Sequence, residues 1–144
     1  MLMVKKFALI YGITYAILGV LGFVPGLVTA PETATHLAAE TAHGRLLGIF
    51  PVNLWHNLVH LGIGVWGIVA AKGFDASVLY ARANAVLFGL LAILGLIPAT
   101  NTLFGLVPLH GNDIWLHLVN TALAGYFGFG PPVRGETTPS TSRG

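Results

Sequence analysis

Two histidines and two asparagines fall at helical spacing in Phe50-Pro51-Val52-Asn53-Leu54-Trp55-His56-Asn57-Leu58-Val59-His60. A shorter version follows in Asp113-Ile114-Trp115-Leu116-His117-Leu118-Val119-Asn120. In a helix, Asn53, Asn57, His60, Gly64 and Gly67 step by four, three, four and three and share one face. Asp113, His117, Asn120 and Ala124 share the corresponding face of a second helix. A neutral imidazole is one donor and one acceptor, and a carboxamide is both. Asn53, Asn57, His60, Asp113, His117 and Asn120 are therefore candidate members of a structural hydrogen-bond network, with Asn53 and Asp113 reading as helix N-caps.

Imidazole and carboxylate also bind metals. His36, Glu40 and His43 are spaced by four and three, and with His56 or His110 they would complete a Zn²⁺ or Cu²⁺ site. The spacing is not that of a tight ligand motif such as His-Glu-x-x-His. A b-type haem needs a histidine on each side. His56 and His60 lie on one face of one helix, so His60 with His117 is the pair that could serve. Histidines at an outward mouth would also meet external pH. The reading carried forward is the network, with no cofactor; Zn, Cu or haem b is the alternative. No nucleophile sits beside a general base, no glycine loop cradles phosphate, and no acidic pair is evident, so no enzymatic activity is expected.

These residues must be held by elements that suit a chain of 144 residues with 55% hydrophobic and only 8% charged side chains. Soluble domains carry about 25% charged residues. With a mean hydropathy of +0.79, lipid must cover most of the surface. The net charge of +2, scattered beside apolar runs, excludes a nucleic-acid patch, and the absence of cysteine excludes disulfides. Apolar runs cover about 7–28, 46–71, 78–99 and 114–130. Each approaches the ~20 residues of a membrane span, and none alternates like a barrel strand. The expected fold is all-α, an integral-membrane four-helix bundle spanning 1–130. The first run is longer than the apolar part of a signal peptide and is read as retained. Pro31–Gly44 reads as a short surface helix, and 131–144 as a disordered cytoplasmic tail. Tyr11 and Asn84 read as a hydrogen-bonding pair.

Lys5, Lys6, Lys72, Arg82, Arg134 and Arg143 fall on one side of the bundle and Arg45 on the other. By the positive-inside rule both termini face the cytoplasm of a bacterial inner membrane. The expected partner is the lipid bilayer and not nucleic acid; a homo-oligomer or larger membrane complex stays open. The halves also repeat, over about 5–72 and 78–130. Leu21-Gly22-Phe23-Val24-Pro25 resembles Leu94-Gly95-Leu96-Ile97-Pro98 at an offset of 73. Asn53, Trp55 and Leu58-Val59 match Asp113, Trp115 and Leu118-Val119 at an offset of 60. Two copies of two spans each have the same orientation, which implies a pseudo-two-fold axis along the membrane normal. Asn57 then matches His117, and His60 matches Asn120, so each histidine is expected to bond an asparagine. Ala8, Gly12, Ala16, Gly19 and Ala81, Ala85, Gly89, Ala92 form small-residue seams suited to close helix packing.

The run Phe50-Pro51-Val52-Asn53 into His56-Asn57-Leu58-Val59-His60, with Gly111-Asn112-Asp113 before Trp115-Leu116-His117, resembles the bacterial domain-of-unknown-function family 4383 (DUF4383) over about residues 5–130. The resemblance implies a small four-span membrane protein and no catalytic residues. His110 stands where a plain turn residue is expected, and the Ser/Thr-rich tail lies outside the resemblance.

Overall fold

The computed structural model describes residues 2–31, 37–38 and 40–137. Four long helices dominate: α1 (Met3–Leu21), α2 (Leu54–Ala70), α3 (Phe74–Leu96) and α4 (Asn112–Phe129). A short α5 (Pro131–Thr137) follows α4, so this part of the expected disordered tail is helical. The run starting with two prolines suits a first helical turn, where a missing N–H leaves no bond unmade. Residues 138–144 lie outside the described residues.

The helices are shorter than the apolar runs at the end that carries the longer loops. α1 stops at Gly22, and Pro25 opens a single 3-10 turn. Proline there cannot supply the N–H that would continue the helix. From there the chain enters a three-stranded antiparallel sheet, β1 (Val28–Thr29), β2 (Gly44–Leu46) and β3 (Phe50–Val52), in the order β1-β2-β3. Thr29 pairs with Arg45 and Arg45 with Pro51. The sheet takes residues 46–52, which the hydropathy pattern assigned to the second helix. The tight turn between β2 and β3 places Leu47 at φ 53° and Gly48 at φ 71°, a left-handed pair that no helix contains. The surface helix expected over Pro31–Gly44 is also corrected: among the described residues of that stretch, 37–38 and 40–43 are not helical and Gly44 begins β2.

Asn53 closes the sheet and opens α2. Its backbone is extended, and its Oδ1 accepts from the His56 N–H at 3.0 Å, the N-cap expected from the sequence. Asp113 is not a cap. Gly111, at φ 68°, is the residue flanking α4, and Asp113 falls inside the first helical turn. A left-handed turn that only glycine adopts freely starts the helix early. The side chain of Asp113 thereby points into the core.

α1 packs along α2 and α3 along α4, and the two hairpins meet chiefly where α1 crosses α3. The small residues allow the close approach. A Cβ on Gly12 would lie 2.7 Å from the Ile68 nitrogen and 2.8 Å from the Gly64 oxygen. One on Gly64 would overlap the backbone of Ala16, and one on Gly128 would come within 2.9 Å of the Arg82 nitrogen. Aromatic rings fill the crossing: Phe7 stacks on Phe127 at 4.6 Å, and Tyr15 lies 5.4 Å from Phe88. At the far end Ser77 donates to Gly73 O, Tyr80 donates to Ile63 O, and Arg82 Nε donates to Gly128 O at 2.8 Å.

Polar side chains share the interior with an apolar core, and large apolar side chains also cover the outside. Asn53, Asn57, Ser77, Asn84 and Asp113 have no exposed surface, and His56, His60, His117 and Asn120 are buried. Ile10 and Trp115 are about two-thirds exposed, at 66% and 68%, and large aliphatic residues cover the outside of all four long helices. α1 and α3 are long and apolar enough to cross a membrane.

Candidate functional site: a buried histidine, aspartate and asparagine cluster

The cap at Asn53 sets the rotation of α2, so His56, Asn57 and His60 all turn inward. Gly111 does the same for Asp113, His117 and Asn120 on α4. The faces read from sequence spacing are therefore real, and both sit at the sheet end of the bundle.

The partners differ from those expected. His56 Nε2 faces His60 Nε2 at 2.9 Å, with the rings nearly perpendicular. On the other side of the same ring, His56 Nδ1 lies 3.5 Å from Asp113 Oδ2. Asp113, His56 and His60 thus form a line of groups that joins α4 to α2. Asn57 donates to Gly22 O at 2.8 Å, bracing the end of α1 rather than reaching His117. Asn120 donates to the hydroxyl of Tyr15 rather than to His60. Tyr15 in turn sets its ring edge against His60, with centroids 4.9 Å apart. The exchanged His/Asn types at matched positions do not pair with each other. Tyr15 of α1 stands between His60 and Asn120, touching both.

His117 packs its ring on Phe88 at 5.4 Å, and its Nδ1 has no hydrogen-bond partner among the described residues. His56, His60 and His117 share a cavity of about 170 Å³ with Phe88 and Leu91, roofed by Leu103, Val107 and Leu109. Asn53 Nδ2 donates to Leu106 O at 2.7 Å and Asn112 Nδ2 to Ile49 O at 3.3 Å, so the cluster also ties the two long loops together.

The cluster can fix the relative rotation of the two hairpins; His56 Nδ1 and both Asp113 carboxylate oxygens have no hydrogen-bond partner among the described residues, so Asp113 and His56 are in contact without a hydrogen bond. No hydroxyl or thiol nucleophile lies against these imidazoles in the hydrogen bonds of the described residues. His36 lies outside the described residues. His56 belongs to the buried cluster, and Glu40 and His43 are joined by a backbone bond in the loop. Among the described residues, no three His, Asp or Glu side chains stand at the spacing of one metal ion. His110 sits in the loop before α4. Partial burial, and then the nearby His43 and Arg45, push its imidazole below the usual histidine range.

Sequence reading missed Tyr15, the partner of Asn120, and Tyr80, whose ring fills the space over Gly67. A signal existed: Tyr11 and Tyr15 interleave with the small seam of α1 at spacings of three and four. The expected Tyr11–Asn84 bond is not made. Asn84 Nδ2 donates to Tyr80 O, and the Tyr11 hydroxyl and Asn84 Oδ1 have no partner among the described residues.

The sequence profile described as Domain of unknown function (DUF4383) matches residues 5–130. No curated protein and no solved structure matches this chain.

Proposed function

The chain belongs to the DUF4383 family, and from that premise we propose that it is a four-span protein of the bacterial inner membrane, with both termini inside. In this reading it is non-enzymatic, and the buried cluster fastens the outer ends of two repeated hairpins. The observation that carries the reading is the distribution of side chains: the buried histidines and asparagines lie inside the bundle, while Ile10, Val65, Leu79 and Trp115 face outward. In water this arrangement would expose a large apolar area and hide the groups that water solvates. In lipid it keeps the polar groups inside the bundle and leaves an apolar perimeter. α2, with 17 residues, is at the short limit of a span.

Two matches support the duplication. The groove between α1 and α4 is lined by Tyr15, Leu18, Leu116 and Asn120. The cavity between α2 and α3 is lined by Phe88, Leu91, His56 and His60, the residues at the same offsets of 73 and 60. Leu47 and Gly48 in one loop and Phe104 and Gly105 in the other share positive φ angles.

The absence of cysteine makes the test clean. Leu106→Cys lies in the loop assigned to the outside and Ala76→Cys in the first turn of α3, at the end assigned to the inside, both exposed. In bacterial cells, the protein should fractionate with membranes. A membrane-impermeant maleimide should label Leu106→Cys in intact cells and Ala76→Cys only after permeabilisation. Recovery in the soluble fraction, or the reverse labelling, overturns the reading.

A further inference from the structure

The two matched grooves on either side of the hairpin crossing differ in one respect. The cavity between α2 and α3 is roofed by Leu103, Val107 and Leu109. The groove between α1 and α4 measures about 510 Å³, and no loop residue is among the described residues that line it. Sites that enclose lipid- or drug-sized molecules are typically ~300–1,000 Å³, mostly apolar, with a few placed polar groups.

The groove has this character. Phe7, Ile10, Leu18, Leu116, Leu123 and Phe127 form apolar walls. The polar members are graded along α1. Lys6 lines the groove at the end near the N-terminus and is exposed. Tyr11 follows five residues on, roughly 7.5 Å deeper along the helix axis. Tyr11 is 8% exposed, and its hydroxyl lacks an acceptor among the described residues. Thr14 and Asn120 are already occupied, by Ile10 O and by Tyr15. The groove therefore offers one cation at its mouth and, a turn and a half below, a hydroxyl donor without an acceptor; the deeper polar side chains, Thr14, Tyr15 and Asn120, bond within the protein.

We propose that this groove seats one acyl chain of an anionic phospholipid from the inner leaflet. The phosphate rests on the Lys6 ammonium, the ester carbonyl accepts from the Tyr11 hydroxyl, and the chain runs past Thr14 to Leu18. Basic residues at the inner face attract anionic lipid, and a compact ammonium suits a phosphate. The inference rests on the membrane reading above, which sets the side on which Lys6 lies.

The test is native mass spectrometry of the detergent-purified protein, titrated with phosphatidylglycerol or with phosphatidylcholine of the same chains. One phosphatidylglycerol should be retained under activation that strips phosphatidylcholine. Lys6→Gln should lower retention about fivefold. Leu123→Trp, which fills the groove, should abolish it, and Val65→Trp, on an exposed face outside both grooves, should not. A diether phosphatidylglycerol, which lacks the carbonyl, should bind the native chain less well than the diester, and Tyr11→Phe should erase that difference. Monodisperse elution and an unchanged melting temperature confirm that each variant is folded. Equal retention of both headgroups, or retention that survives Lys6→Gln and Leu123→Trp, overturns the proposal. If the protein is in membranes yet shows no preference, only this inference falls; if it is not in membranes, the reading beneath it falls first.

Discussion

His56 Nε2 and His60 Nε2 face each other at 2.9 Å, one helical turn apart on α2. Neither ring can turn away, because both are buried. One nitrogen must donate and the other accept, which couples their tautomers. Replacing His56 by alanine removes the partner of His60 and leaves Asp113 facing a void. The expected loss is about 1–3 kcal/mol, the penalty for a buried polar group left unpaired. His56→Gln should recover part of it. Thermal unfolding in detergent measures both. A His56→Ala variant as stable as the native chain would show that the contact does not hold the hairpins.

Gly64 and Gly62 lie two residues apart on α2 and make opposite predictions. A methyl on Gly64 would overlap the backbone of Ala16, whereas one on Gly62 would meet nothing within 4 Å. Gly64→Ala must push α1 and α2 apart and should destabilise by about 1–3 kcal/mol, the usual cost of overpacking. Gly62→Ala should be neutral or slightly stabilising, since alanine is the better helix former. Equal melting temperatures for the two variants would contradict the close α1–α2 seam.

Asn53 has two roles that one substitution separates. Its Oδ1 caps α2 at the His56 N–H, and its Nδ2 holds Leu106 O of the other long loop. Asn53→Asp keeps the cap and loses the donor; Asn53→Ala loses both. The alanine variant should lose more stability than the aspartate variant, and a lost cap alone is worth ~1 kcal/mol. Hydrogen exchange in the 100–109 loop should rise in both variants, because both release Leu106.

His110 carries a pH dependence. Its folded-state pKa lies below the ordinary histidine value, first because of burial and then because of His43 and Arg45. Between those two values the unfolded chain binds more protons than the folded one, so stability falls as pH drops. Its contribution is therefore intact above the ordinary histidine range and is lost as pH falls through that range. Arg45→Gln removes one of the causes and should raise the titration midpoint of the His110 ring, read by NMR. An unchanged midpoint would exclude Arg45 as a cause.

The hydropathy pattern located four helices, because apolar runs and small-residue seams are local properties with helical period. It overran their ends at 22–28 and 46–52, where the composition stays apolar but the chain turns into a sheet. Hydropathy does not distinguish a buried strand from a helix segment over so few residues. The positive φ of Leu47 is a consequence of the β2–β3 pairing, and no feature of the leucine itself announces it.

From the sequence alone, the inward faces of α2 and α4 were determined, because residues three and four apart must share a side of a helix. The cap at Asn53 was determined too, because a carboxamide before a helix has one nearby set of N–H groups to accept from. Only the tertiary structure decided which group each inward residue meets. That choice depends on the axial stagger and rotation of one hairpin against the other, set by contacts such as Phe7 on Phe127 and Tyr15 on Phe88. A shift of one turn along a helix, about 5.4 Å, would exchange every polar partner and leave the sequence pattern of each helix untouched.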